Sequence, residues 1–168
     1  LIPSLLSGSS TNTIVFNVIS GNGTGLKLGD SSIPITYDVN GFPLAVDHNI
    51  VQSNFIGTDW SGFIALGSDA FGFEPIGNKY DGIYLFNGIT NTIGGGAASQ
   101  INVISGNGRH GMNFDGPSGF NFVMRNFIGL DVGGNQPIGN GGWGILLGSE
   151  SNNNLIGSPV ALAGNIIS

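Results

Sequence analysis

Acid–base chemistry on a sugar-like substrate needs paired carboxylates, or a carboxylate with a base, gathered on one surface. The chain holds eight Asp and two Glu, with Lys27, Lys79, Arg109, Arg125, His48 and His110 as its only basic residues. The densest polar cluster is Arg109-His110 with Asp115 close behind, a candidate catalytic or binding set for an acidic sugar. His110 reads as one extra residue, a small bulge, because Thr24 runs directly into Gly25 where His110 precedes Gly111. Asp30 holds almost the place of Asp115, which equally fits a solvated corner. Asp59 and Asp131 form a second set. Each follows Asn-Phe-Ile-Gly-x and precedes x-x-Gly. Asp three residues ahead of Gly is a turn signature in which the carboxylate accepts backbone N–H groups. A calcium site is the sharper alternative for the pair.

The remaining polar residues offer less. Asp47-His48 and Asp38 read as loop solvation, and Glu74 and Glu150 share no spacing with an Asp partner. No Gly-x-Ser-x-Gly elbow supports a nucleophile triad. Gly94-Gly95-Gly96 precedes no helix and cradles no phosphate. Aromatics are the other class. Trp60, Phe63, Phe71 and Phe73 cluster in one segment and Trp143 ends another. Trp60, Phe63 and Trp143 are candidate ligand contacts, and a small satellite core beneath loops is the plainer reading.

Composition narrows the scaffold that must position these residues. Gly makes up 31 of 168 residues and Asn 20, with 40% hydrophobic and a net charge of −6. Four basic residues cannot displace the counterions of a nucleic acid, so that partner is excluded. No apolar run reaches the roughly 18 residues of a membrane span. Without Cys there is no disulfide framework or thiol chemistry. No cofactor motif is present. The chain opens at Leu1 without Met and closes inside a repeat at Asn165-Ile-Ile-Ser168, which predicts a piece of a longer repeat protein.

The repeat itself is legible. Asn17-Val-Ile-Ser-Gly-Asn22 returns at Asn102–Asn107, Asn54-Phe-Ile-Gly57 at Asn126–Gly129, and Pro75-Ile-Gly-Asn78 at Pro137–Asn140. A second code opens on Gly25, Gly82, Gly111 and Gly144 and alternates large residues. These pieces predict five coils. First strands start at Asn12, Asn49, Asn91, Asn121 and Asn154, second strands at Asn17, Asn54, Asn102, Asn126 and Asn165, and third strands at the four glycines. A four-residue strand cannot bury its apolar face alone, but a stack of them builds a ladder and a continuous core. Alternation points Ile14, Ile19, Val51, Ile56, Ile93, Ile104, Val123, Ile128, Ile156 and Ile167 inward. Asn fits the corners, since it tolerates left-handed backbone and its amide can bond the Asn above and below. Loops are expected at Thr58–Asp81 and Leu130–Trp143, and a hairpin turning at Asn40-Gly41.

Asn91-Thr-Ile-Gly-Gly95, Asn102–Asn107, Asn54-Phe-Ile-Gly-Thr-Asp59 and Pro75–Asn78 resemble the right-handed parallel β-helix repeat proteins, a pectate-lyase-like superfold common in secreted and surface proteins. The resemblance covers nearly the whole chain. It implies an all-β, right-handed parallel β-helix, a solenoid of about five coils of three short strands with inserted loops, spanning 1–168 as one domain. It leaves function open, because that architecture hosts lyases, hydrolases, epimerases, tailspikes and adhesins. The leading expectation is a non-catalytic extracellular or cell-surface module, structural, adhesive or assembly-forming. The alternatives are a carbohydrate-active enzyme using Arg109, His110 and Asp115, and a carbohydrate-binding module using the aromatics. The partners expected are a polysaccharide, or another copy joined through the ends of the helix, whose last rung Asn165–Ser168 carries no charge.

Overall fold

The computed structural model describes residues 11–32, 45–65, 77–158 and 163–168. The expected hairpin at Asn40-Gly41, and Asp38, Phe71, Phe73 and Glu74, lie outside the described residues. Within them the chain is a parallel β solenoid, and no helix is long and apolar enough to cross a membrane. Thr13–Val15, Ile50–Gln52, Thr92–Gly94, Phe122–Met124 and Leu155–Ile156 stack in order as the first sheet. Val18–Ile19, Phe55–Ile56, Val103–Ile104, Phe127–Ile128 and Ile166–Ile167 form the second. Leu26–Leu28, Ile83–Phe86, Met112–Asp115 and Ile145–Leu147 form the third. Every pairing is parallel, and the register matches the repeat code, as in Ile19 with Ile56 and Ile104 with Ile128. One further pair, Val46–Asp47 with Gly88–Ile89, was not expected and turns the chain from third sheet to first.

Seven of the ten residues expected inward are buried. Ile14 is partly buried and Ile156 and Ile167 are exposed, because these belong to the outermost rungs and have a neighbouring coil on one side only. Met112 and Phe114 of the third sheet complete the core.

Three Asn ladders run along the corners. Asn12, Asn49, Asn91, Asn121 and Asn154 form one, each amide reaching the next Oδ1 at 2.8–3.0 Å. Asn17, Asn54, Asn102, Asn126 and Asn165 form the second, at 2.9–3.1 Å. Asn22, Asn78, Asn107 and Asn140 form a third that the repeat code did not reveal. In the inner coils the second amide proton goes to a carbonyl of another coil, as from Asn102 to Val51 O at 2.8 Å, while Asn17 and Asn22 of coil one bond Val15 O and Ser20 O of their own coil. Burying so many amides is tolerable only because each is satisfied this way.

The corner reading needs one correction. The ladder Asn residues do not adopt the left-handed conformation. At eight of the ten positions in the first two ladders the residue before them does: Thr11, Phe16, His48, Ser53, Thr90, Phe120, Arg125 and Asn153 all have φ between 51° and 59°, whereas Ile101 before Asn102 is extended at −65°. The Asn is selected for its amide. Glycine at the third-strand start is selected for space. A Cβ on Gly82 would stand 2.7 Å from Gly111 O and 2.7 Å from the Asn107 amide.

The two loops end earlier than expected, because Gly77-Asn78 and Gly139-Asn140 are not loop. Gly77 N–H reaches Gly106 O, and Asn78 and Asn140 sit in the third ladder. So Gly77-Asn78 and Gly139-Asn140 make, after an excursion in coils two and four, the corner that Gly106-Asn107 makes in coil three.

Candidate functional site

The polar residues converge where the third corner enters the third sheet. Aligning the coils at Gly25, Gly82, Gly111 and Gly144 puts Thr24, Asp81, His110 and Trp143 in one column. The backbone bonds Gly25 N to Asp81 O, Gly82 N to His110 O and Gly111 N to Trp143 O fix it. His110 is therefore no bulge. Coils two, three and four share its position, and coil one is the coil with a residue fewer. A neighbouring column sets Tyr80 N on Gly23 O and Arg109 N on Tyr80 O. On the outer face of the sheet, Lys27, Tyr84, Asn113 and Leu146 lie in register.

Asp81, which sequence reasoning passed over as the end of a loop, is the hub. Its side chain is only 4% exposed. It accepts the His110 N–H at 3.2 Å and the Asn113 amide at 3.2 Å. The Arg109 guanidinium stands at 4.0 Å, beyond hydrogen-bond range. Comparing the residue before each third-strand glycine would have found Asp81.

The set Arg109, His110 and Asp115 does not close into one centre. His110 is buried, its ring stacked on Trp143 at 5.1 Å and 15°. Its Nδ1 accepts the Trp143 backbone N–H at 3.0 Å, so in the neutral ring the proton sits on Nε2. Asp115 lies at the far end of the strand, about 16 Å along the chain at roughly 3.3 Å per residue. It accepts the Tyr84 hydroxyl at 3.0 Å and the Gly116 N–H at 2.9 Å. Burial, reinforced by the Asp115 carboxylate, pushes the Tyr84 phenol up. Lys27 pairs with Asp30 at 3.0 Å. The Ser32 hydroxyl and N–H, then Lys27, hold Asp30 down at about 2. Between these residues runs a shallow open groove of about 250 Å³ lined by Lys27, Tyr80, Asp81, Tyr84 and Arg109.

Asp59 and Asp131 sit in matching tight turns. Asp131 Oδ1 accepts Asn135 N–H at 2.8 Å and Gln136 N–H at 3.1 Å, which lowers its pKa. Burial pushes Asp59 up, but the Ser61 hydroxyl and the Ile64 and other backbone N–H groups outweigh it and hold it low. Among the described residues no group of three or more His, Asp or Glu is placed to hold a metal ion. Of the aromatics, Trp60 is 79% and Phe63 57% exposed, and Phe63 with Ile64 lines an open groove of about 770 Å³. Neither is buried as a satellite core would require. The apolar packing beneath the loops is made instead by Phe55 and Phe127, against Gly62, Val132 and Gly134. Trp143 is 64% exposed on its outer side. Comparisons of the chain with protein-family models, with curated proteins and with solved structures found no match, so the functional reading rests on the site's geometry.

Proposed function

We propose that the chain is a right-handed parallel β-helix serving as a non-catalytic module of an extracellular or cell-surface protein, with an adhesive and assembly-forming role. The hand follows from the strong bias of parallel crossovers within one sheet. The observation that carries the non-catalytic reading is how the scaffold uses the candidate acids and base. A general acid or base must present a group within about 3 Å of the substrate. Here the His110 ring is buried under Trp143 with Nδ1 occupied, and Asp81 and Asp115 accept hydrogen bonds from the fold. The extracellular setting rests on the resemblance to surface β-helix repeats. The assembly-forming role rests on the same resemblance.

The test is incubation with pectate, alginate and neutral glucans at neutral pH, following new reducing ends and unsaturated products. No turnover is expected. Sustained product formation that disappears in Asp115→Ala or His110→Ala overturns the reading.

A further inference from the structure

We propose that Asn22-Gly23 is a self-modifying bond, at which the Gly23 nitrogen converts the Asn22 amide into aspartate or isoaspartate and unlatches the third corner of coil one from coil two. An Asn-Gly bond is prone to this chemistry, because glycine offers its backbone nitrogen with no side chain in the way. The Gly23 nitrogen attacks Asn22 Cγ and gives up its proton. The Cγ–Nδ2 bond breaks, and the side-chain nitrogen leaves with that proton as ammonia. Water then opens the cyclic imide at either carbonyl. One opening gives aspartate. The other gives isoaspartate, which lengthens the main chain by a carbon. Water is consumed, ammonia is released and nothing is oxidised or reduced.

What singles out this bond is how the solenoid treats the others. The sequence holds five Asn-Gly bonds, at Asn22, Asn40, Asn87, Asn107 and Asn140. Asn40-Gly41 lies outside the described residues. In three of the other four the glycine N–H is tied across to another coil. Gly88 donates to Ser118 Oγ at 3.1 Å, Gly108 to Asn78 O at 2.7 Å and Gly141 to Asn107 O at 2.8 Å. A nitrogen held in this way must be released before it can attack, so its reaction waits on local opening. Gly23 is exposed, and among the described residues no acceptor takes its N–H.

The amide under attack also makes the longest Asn–Asn bond of its ladder. Asn22 Nδ2 reaches Asn78 Oδ1 at 3.3 Å, against 2.8 Å from Asn78 to Asn107 and 2.9 Å from Asn107 to Asn140. Asn22 is half-buried, whereas Asn78 and Asn107 are buried. Neither product fits the place. A carboxylate has no proton to give, and it would face the Asn78 and Ser20 oxygens, both acceptors. The added main-chain carbon of isoaspartate would carry Gly23 O out of line with the Tyr80 N–H, now 2.7 Å away. The corner of coil one is thus built to let go of coil two with time.

The experiment is incubation of the 168-residue chain in mildly alkaline buffer, with and without urea, followed by trypsin and mass spectrometry. Cleavage after Lys27, Lys79, Arg109 and Arg125 separates Asn22 from every other Asn-Gly bond, and fragmentation resolves Asn87 from Asn107. In the folded chain Asn22 should convert roughly tenfold or more faster than Asn87, Asn107 and Asn140, whose glycine N–H groups must first be released. In urea the four rates should converge. Gly23→Ala should slow the conversion and leave circular dichroism unchanged, since a Cβ there meets only Tyr80, at 3.9 Å. The aged chain should lose hydrogen-exchange protection at the Lys79 and Tyr80 amides, which donate to Asn22 O and Gly23 O, and keep it at Val103 and Ile104. Asn22 converting no faster than the other three in the folded chain overturns the proposal, and so does G23A converting as fast as the parent. Rates that stay apart in urea trace the difference to local sequence and overturn the part given to the fold. A converted chain with Lys79 and Tyr80 still protected overturns the unlatching.

Discussion

Val132 donates its backbone N–H to Gly62 O at 2.9 Å, although the two residues belong to loops that leave the solenoid from coils two and four. Coil three passes between them without a loop, through Ser105-Gly106-Asn107, and Ala65 packs onto Gly106. The missing loop is what lets the other two touch. Gly62 lies against both Phe55 and Val132, with φ of 71° and no room for a Cβ: Phe55 Cε1 and Val132 Cβ would be at 2.8 Å.

Gly62→Ala should therefore undock the loops without unravelling the coils. Strain at positive φ and overpacking together predict a loss of about 1–3 kcal/mol. By hydrogen exchange, the Val132 amide should lose protection while Val103 and Ile104 amides keep theirs. Equal loss at both would mean that the loops are not a separate unit.

The ladders predict a larger effect at their centre. Asn102 accepts the Asn54 N–H at 3.0 Å and amide at 3.1 Å, and donates to Val51 O and Asn126 Oδ1. Asn102→Ala strands several buried groups, each costing about 1–3 kcal/mol, so a loss of about 3 kcal/mol or more is expected in urea unfolding. Asn12→Ala, on an outermost rung with its side chain partly solvated, should cost clearly less. A loss below about 1 kcal/mol at Asn102 would show that water replaces the amide.

Much of this was legible in the residues. The Asn-x-Ile and Gly codes fixed the register of all three sheets, because a buried period-two pattern permits no slip. What escaped was structure that depends on one coil meeting another. Asp81 and His110 occupy one column, but the three residues between Asn78 and Gly82 read as loop, because the bond from Asn78 to Asn107 that makes them a corner joins two coils. The separation of His110 from Asp115 follows from an extended strand between them, which sequence proximity hid. The left-handed residue before most of these Asn also escaped, since Phe16 and Phe120 carry no signal for it.

Acid should weaken the fold through three carboxylates. Asp30 is lowered from its ordinary 3.8 to about 2, and Asp59 and Asp131 are lowered as well. Each holds its proton less tightly in the folded chain than in the unfolded one. Their contribution is thus present above the unfolded value of about 3.9 and fades as pH falls toward 2. Melting temperature should hold between neutrality and about pH 5, then drop below pH 4. Asp131→Asn should flatten that drop. An unchanged acid limb in this variant would exclude Asp131 from it.

The corners carry strain that substitution can release. Phe120 is 57% exposed with φ of 56°, and Phe16 is 80% exposed with φ of 57°. A bulky residue with left-handed backbone costs about 1–2 kcal/mol, because its Cβ crowds the following carbonyl. Asn tolerates that region better, and Asn153 already holds the equivalent corner of coil five at φ of 55°. Neither Phe is buried, so little packing is lost by replacing it. Phe120→Asn and Phe16→Asn should each raise stability by about 1 kcal/mol, and the two should add, since their corners lie on different coils and different ladders. Phe120→Val should do the reverse, because β-branching is poorly accommodated at positive φ. Urea unfolding of the four variants measures this. If Asn proves no better than Phe while Val is harmless, the left-handed corner is relaxed in solution and the strain does not exist.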